Sequence, residues 1–126
     1  VESGELPAQA ALRELFEECG ISGEIIGITA LRERVKGNQT GVFVAYLVVP
    51  NTLEITLNSE EISDFGWFSL EELDSVEWLS HTMHSISIAS INHYSSMEMI
   101  DYSEEKNEPY LVHFVQKKVE IPELSI

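Results

Sequence analysis

Residues 7–19, Pro-Ala-Gln-Ala-Ala-Leu-Arg-Glu-Leu-Phe-Glu-Glu-Cys, constrain this chain more than any other stretch, because their spacing fits one amphipathic helix. Pro7 suits a first helical position, where its missing N–H has no partner to lose, and Gly20 suits the left-handed residue just past a helix end. At 100° per residue, Ala8, Ala11, Leu12, Leu15, Phe16 and Cys19 fall in one broad sector, which predicts a core-facing stripe. Glu14, Glu17 and Glu18 share another side. Their i, i+3 and i, i+4 spacing makes them neighbours, and each like-charge pair costs roughly 0.2–0.5 kcal/mol. They also sit toward the C-terminal end, where the helix dipole disfavours negative charge by up to ~1 kcal/mol. A purely structural helix gains nothing from this arrangement. A cation held between the carboxylates turns each cost into an attraction, and all-oxygen ligation points to a hard ion such as Mg²⁺ or Mn²⁺.

The run Arg13-Glu14-Leu15-Phe16-Glu17-Glu18-Cys19-Gly20-Ile21 resembles the second half of the Nudix box. Glu5 stands where that box carries its upstream Glu, and Val1-Glu2-Ser3-Gly4-Glu5 resembles its lead-in. A later stretch, Glu60-Glu61-Ile62 through Trp67-Phe68 to Glu72-Leu73, is similar to a segment common downstream of the box, where an acidic loop approaches the metal. The resemblance implies an α/β fold, an α/β/α sandwich built on a mixed sheet. It also implies hydrolysis of a diphosphate linkage in a nucleoside diphosphate joined to another group. Carried position by position, it makes Glu17 and Glu18 the principal ligands of Mg²⁺ or Mn²⁺ and Glu14 a ligand or base. Arg13 orients these carboxylates, Glu5 holds the loop, and Glu61, ahead of Glu60, is a further ligand or the general base. The glycine that opens the box and the first strands of the family's sheet would precede Val1. The expectation is therefore that this chain lacks them, and that sequence upstream, Tyr110–Val119 or a second copy in a homodimer supplies the pairing.

A chain of 126 residues is one domain's worth, and 44% hydrophobic content is enough for it to fold. Seven basic residues against 22 acidic ones give −15, which argues against nucleic acid or an anionic membrane as partner, since both are bound largely through Lys and Arg. The expected partner is a small nucleotide, met by its metal or by a local basic patch. Cys19 is the only cysteine, so no internal disulfide forms, and a reducing, cytoplasmic setting fits.

Gly23–Val35 reads as a strand, residues 36–40 as a turn, and Gly41–Val49 as an apolar strand buried on both faces. Leu53–Leu57 and Asp64–Phe68 read as short strands, the second carrying Trp67 into the core. Ser69-Leu70-Glu71-Glu72 forms a capping box that starts a helix, and His81–Tyr94 reads as another helix. This puts a Nudix-like domain at 1–94 and an extension of loop plus strand (Tyr110–Val119) at 95–126. Arg32, Arg34 and Lys36 alternate onto one strand face as candidate phosphate contacts, weighed against a solvated strand end. His81 and His84 share a helix face but nothing completes a zinc site, so they read as a solvated pair. The rival functions are a nucleotide-binding or regulatory module without turnover, and an inactive fragment.

Overall fold

The computed structural model describes residues 1–56, 65–78, 80–93 and 96–115. Helix α1 (Pro7–Cys19) has the predicted bounds, and Gly20 closes it at φ 69° with its N–H on the Phe16 carbonyl (2.8 Å). Its start is capped from within: Leu6 has no side-chain acceptor to offer, and the Gln9 amide oxygen reaches back to the Leu6 N–H (2.9 Å). Strands β1 (Gly23–Lys36) and β2 (Gln39–Pro50) form a long antiparallel hairpin around a two-residue turn that opens on Gly37 at φ 62°. A left-handed first turn residue matches the right-handed twist of the flanking strands, and glycine adopts it without strain.

Two register shifts bulge β1 near Ile26 and Thr29. Bulges bend a strand and free it to meet other backbone, and here the second hairpin docks, with the Met97 N–H donating to the Ile28 carbonyl (2.9 Å). Gly27 lies between the bulges because a Cβ there would run into the Met97 carbonyl and come within 2.9 Å of the Ser96 hydroxyl. The second hairpin pairs β3 (Glu98–Asp101) with β4 (Leu111–Phe114), antiparallel again, across helix α3 (Ser103–Lys106), a single turn that ends on Asn107 at φ 56°. Asp101 starts that connection by accepting the Ser103 N–H (2.8 Å), and hydrogen bonding to the Ser103 side chain, then to this N–H, lowers its pKa. Helix α2 (His81–His93) meets β1, where the Thr29 hydroxyl donates to Ser90 (2.8 Å). α1 packs beside Ile28, Val44 and Tyr46, so helices pack on strands in the expected α/β fold; where a mixed sheet was expected, the strands among the described residues form two antiparallel pairs, β1–β2 and β3–β4.

Several expectations change. Residues 53–56 and 65–68 are not strands. The chain there is held by isolated bonds, Thr56 N–H to Cys19 carbonyl (2.8 Å) and Trp67 indole N–H to Leu53 carbonyl (3.0 Å), in place of a ladder. Trp67 is 51% exposed and does not enter the core. The box at Ser69 and Glu72 is reciprocal as predicted (2.9 and 3.3 Å), yet it starts only one 3₁₀ turn, Glu72–Ser75. β2 is not buried on both faces: Val42 is 60% exposed, because α1 covers only part of one face and the hairpin tip projects beyond it. Residues 95–108 hold β3 and α3 where a loop was expected, and the strand predicted over Tyr110–Val119 is Leu111–Phe114 within the described residues. Phe16, predicted for the core-facing stripe, is 59% exposed, and the helix closes on β2 through Ala11 of that stripe together with Ala10 and Glu14, which lie outside it on the side of the carboxylates.

Candidate active site

The site is built on α1 and the loop before it. Arg13 lies on the flank of the helix, where its planar guanidinium reaches in two directions. Toward the loop, its Nε donates to Glu5 Oε2 (2.8 Å) and Nη2 to Glu5 Oε1 (3.1 Å); toward the next helical turn, Nη1 donates to Glu17 Oε2 (3.2 Å). Glu14 Oε1 is 3.8 Å from Nη2. Lysine offers no such planar fork, so arginine suits a place where one side chain sets one carboxylate through two bonds and reaches a second as well. Glu5 also accepts the Glu2 N–H (2.8 Å). The Arg13 guanidinium, and after it the Glu2 amide, hold the Glu5 carboxyl down at about 2, and Glu5 in turn raises the Arg13 pKa.

Glu14, Glu17 and Glu18 are exposed on the helix as predicted. Glu14 also lines a groove of about 480 Å³ between α1 and β2, together with Ala10, Ala11, Val42, Val44 and Tyr46. The groove is otherwise apolar, so Glu14 is the carboxylate facing its contents. Among the described residues, no three His, Cys, Asp or Glu side chains are gathered closely enough to hold a metal ion. The donor set still suits a hard divalent cation: it consists of carboxylates alone, on long exposed side chains that rotate freely, with Glu17 already turned by Arg13. Cys19 lies in the other sector, lining a second, apolar groove with Leu15 and Ile21.

Not every candidate joins this site. Glu60 and Glu61 lie outside the described residues. Arg32, Arg34 and Lys36 do share a face, since both arginines lie over Gly41 and Arg32 stacks on the Phe43 ring at 5.4 Å. By alternation that face is opposite the one bearing Val42, Val44 and Tyr46; Phe43, on which Arg32 stacks, also lines the groove that Glu14 enters, but Arg32, Arg34 and Lys36 do not. His81 and His84 are not simply a solvated pair. His84 Nε2 lies 3.1 Å from Asp74 Oδ1, and its ring stacks on Trp78 at 5.0 Å.

Two residues escape a motif reading. Tyr46, whose pKa burial raises, and His113 of β4 approach to a ring separation of 6.1 Å beside the start of α1. Alternation places each on a strand face, but nothing local says that those faces meet.

Fold and site together define a class: an α/β domain that carries a carboxylate-bearing helix steered by an Arg–Glu fork. The family model of the NUDIX domain matches residues 1–88, and the chain belongs to that family. Among solved structures, a NUDIX family hydrolase from Clostridium perfringens has the same fold, with a TM-score of 0.61 over 75% of this chain and 77% of its own, at 17% identity. No curated protein matches the chain. No helix among the described residues is long and apolar enough to cross a membrane.

Proposed function

We propose that this protein is a metal-dependent hydrolase that cleaves the diphosphate linkage of a nucleoside diphosphate joined to another group. The observation that carries the reading is the Arg13 fork, which ties Glu5 to Glu17 and so fixes one of three exposed carboxylates beside a groove that Glu14 enters. Glu14, Glu17 and Glu18 would hold Mg²⁺ or Mn²⁺, which neutralises phosphate charge and lowers the pKa of a bound water. The chain's own part is to position and to move a proton. Arg13 keeps Glu17 oriented, and Glu5, ionised at every physiological pH, keeps Arg13 in place. Glu14, facing the groove, takes the proton of the attacking water as its oxygen bonds to phosphorus and the bridging P–O bond breaks. Glu61 remains a second candidate for that base. Residues 1–94 would form the Nudix-like domain and 95–126 an extension, whose Met97 meets β1 at Ile28.

The test is phosphate release from nucleoside triphosphates, dinucleotides, nucleotide sugars and ADP-ribose, with and without Mg²⁺ or Mn²⁺, in wild type and in Glu17→Gln. Metal-dependent release from at least one substrate, lost in the variant, is the expected result. Tight nucleotide binding with no release under any metal would instead favour a binding module.

A further inference from the structure

We propose that the cavity beside the start of α1 is a nucleobase subsite, in which the Tyr46 ring packs against the base and His113 hydrogen-bonds to its edge. This rests on the hydrolase reading above and adds to it the part of the substrate that the chain selects. The cavity holds about 260 Å³ and is lined by Leu6, Ile28, Val44, Leu111, Tyr46 and His113. Pockets for whole ligands run to roughly 300–1,000 Å³, so this one suits a single ring system and little more.

It is also placed to hold one end of a longer ligand. Pro7, Val44 and Tyr46 line both this cavity and the groove that Glu14 enters, so the two spaces adjoin. A molecule with its diphosphate by the carboxylates of α1 can therefore lay its base here. The walls are apolar, which suits the faces of a planar ring. The two aromatic rings are tilted by 54°, so that they do not stack on one another and close the space.

The polar demand comes from His113. Its Nδ1 is shielded from water and has no hydrogen-bond partner, a condition it shares only with Arg32 Nε among the buried side-chain nitrogens and oxygens of the described residues. An orphaned buried nitrogen is costly, and a ligand that supplies the missing partner removes the cost. The imidazole turns about a soft terminal torsion, which brings Nδ1 to a ring nitrogen or exocyclic group of a base. His113 and Leu111 belong to β4, beyond the residues 1–88 shared with the family, so this wall is supplied by the chain's own extension.

Equilibrium titration reads the proposal without turnover, using ADP, GDP, CDP and UDP as probes and inorganic pyrophosphate as the base-free control. Wild type should bind at least one nucleoside diphosphate more tightly than pyrophosphate. His113→Ala should weaken that binding about tenfold, the equivalent of one lost hydrogen bond, and leave pyrophosphate unchanged. His113→Asn, which keeps a polar atom near the position of Nδ1, should recover part of the loss. Should His113→Ala fail to fold, Tyr46→Leu carries the same comparison. Equal wild-type affinity for pyrophosphate and every nucleotide, or variants that weaken both probes alike, would overturn the proposal. The hydrolase reading stands or falls separately, on metal-dependent release and its loss in Glu17→Gln.

Discussion

The loop and helix at 1–20 and the segment 65–78 were equally rich in motif, and they came out differently. In the first, every decisive bond is local: Leu6 to Gln9, Arg13 to Glu17, and Glu5 to Arg13 eight residues away. In the second, the capping box formed but the helix it announces stopped after one turn, and the strand before it did not form. Local pattern specifies structure when the partners of a residue lie within a turn or two. A strand needs a neighbour supplied by distant sequence, and without that pairing its backbone is satisfied in other ways.

The largest effect expected is on the local region. Glu17→Gln or Glu18→Gln keeps shape and removes charge, so turnover should fall by about 10²–10³-fold or more, with an unchanged circular dichroism spectrum and a slightly raised melting temperature as like-charge repulsion is relieved. Wild-type rates under saturating Mg²⁺ and Mn²⁺ would sink the assignment of these carboxylates.

Breaking the fork tests whether locality extends to function. Arg13→Lys or Glu5→Gln leaves all three helix carboxylates in place, and should cost about 10–100-fold in activity or metal affinity, the usual effect of losing a residue that orients a ligand. The pH dependence has a definite sign. The Glu5 pKa is depressed in the fold from 4.5 to about 2, so its contribution to stability is present above 4.5 and is lost as pH falls from there toward 2. Acid unfolding of Glu5→Gln should be shallower than wild type across that window, measured by fluorescence.

The opposite kind of test concerns a contact made across the chain. Gly27→Ala places a methyl against the Met97 carbonyl and the Ser96 hydroxyl, and should destabilise by about 1–3 kcal/mol through displacement of the second hairpin. Urea unfolding measures it, and hydrogen exchange at Met97 should rise. The smallest effect belongs to the basic row. Arg34→Gln with Lys36→Gln should change KM less than about twofold, since neither lines the groove that Glu14 enters. A large, salt-dependent rise in KM would return them to the substrate.

The sequence by itself determined α1 near 7–19, its Gly20 stop, two strands on either side of a turn at 36–40, and the shared side of the carboxylates with Arg13 beside them. Helical periodicity, capping and glycine conformation are local, so they can be read in order along the chain. Only the tertiary structure decided that β2 is half exposed, that Phe16 and Trp67 face outward, and that Arg32 does not line the groove that Glu14 enters. It alone brought His113 to Tyr46, and Met97 onto the bulge at Gly27. Alternation says that a strand has two faces, but which face is covered depends on elements tens of residues away, and no spacing within the strand encodes that choice.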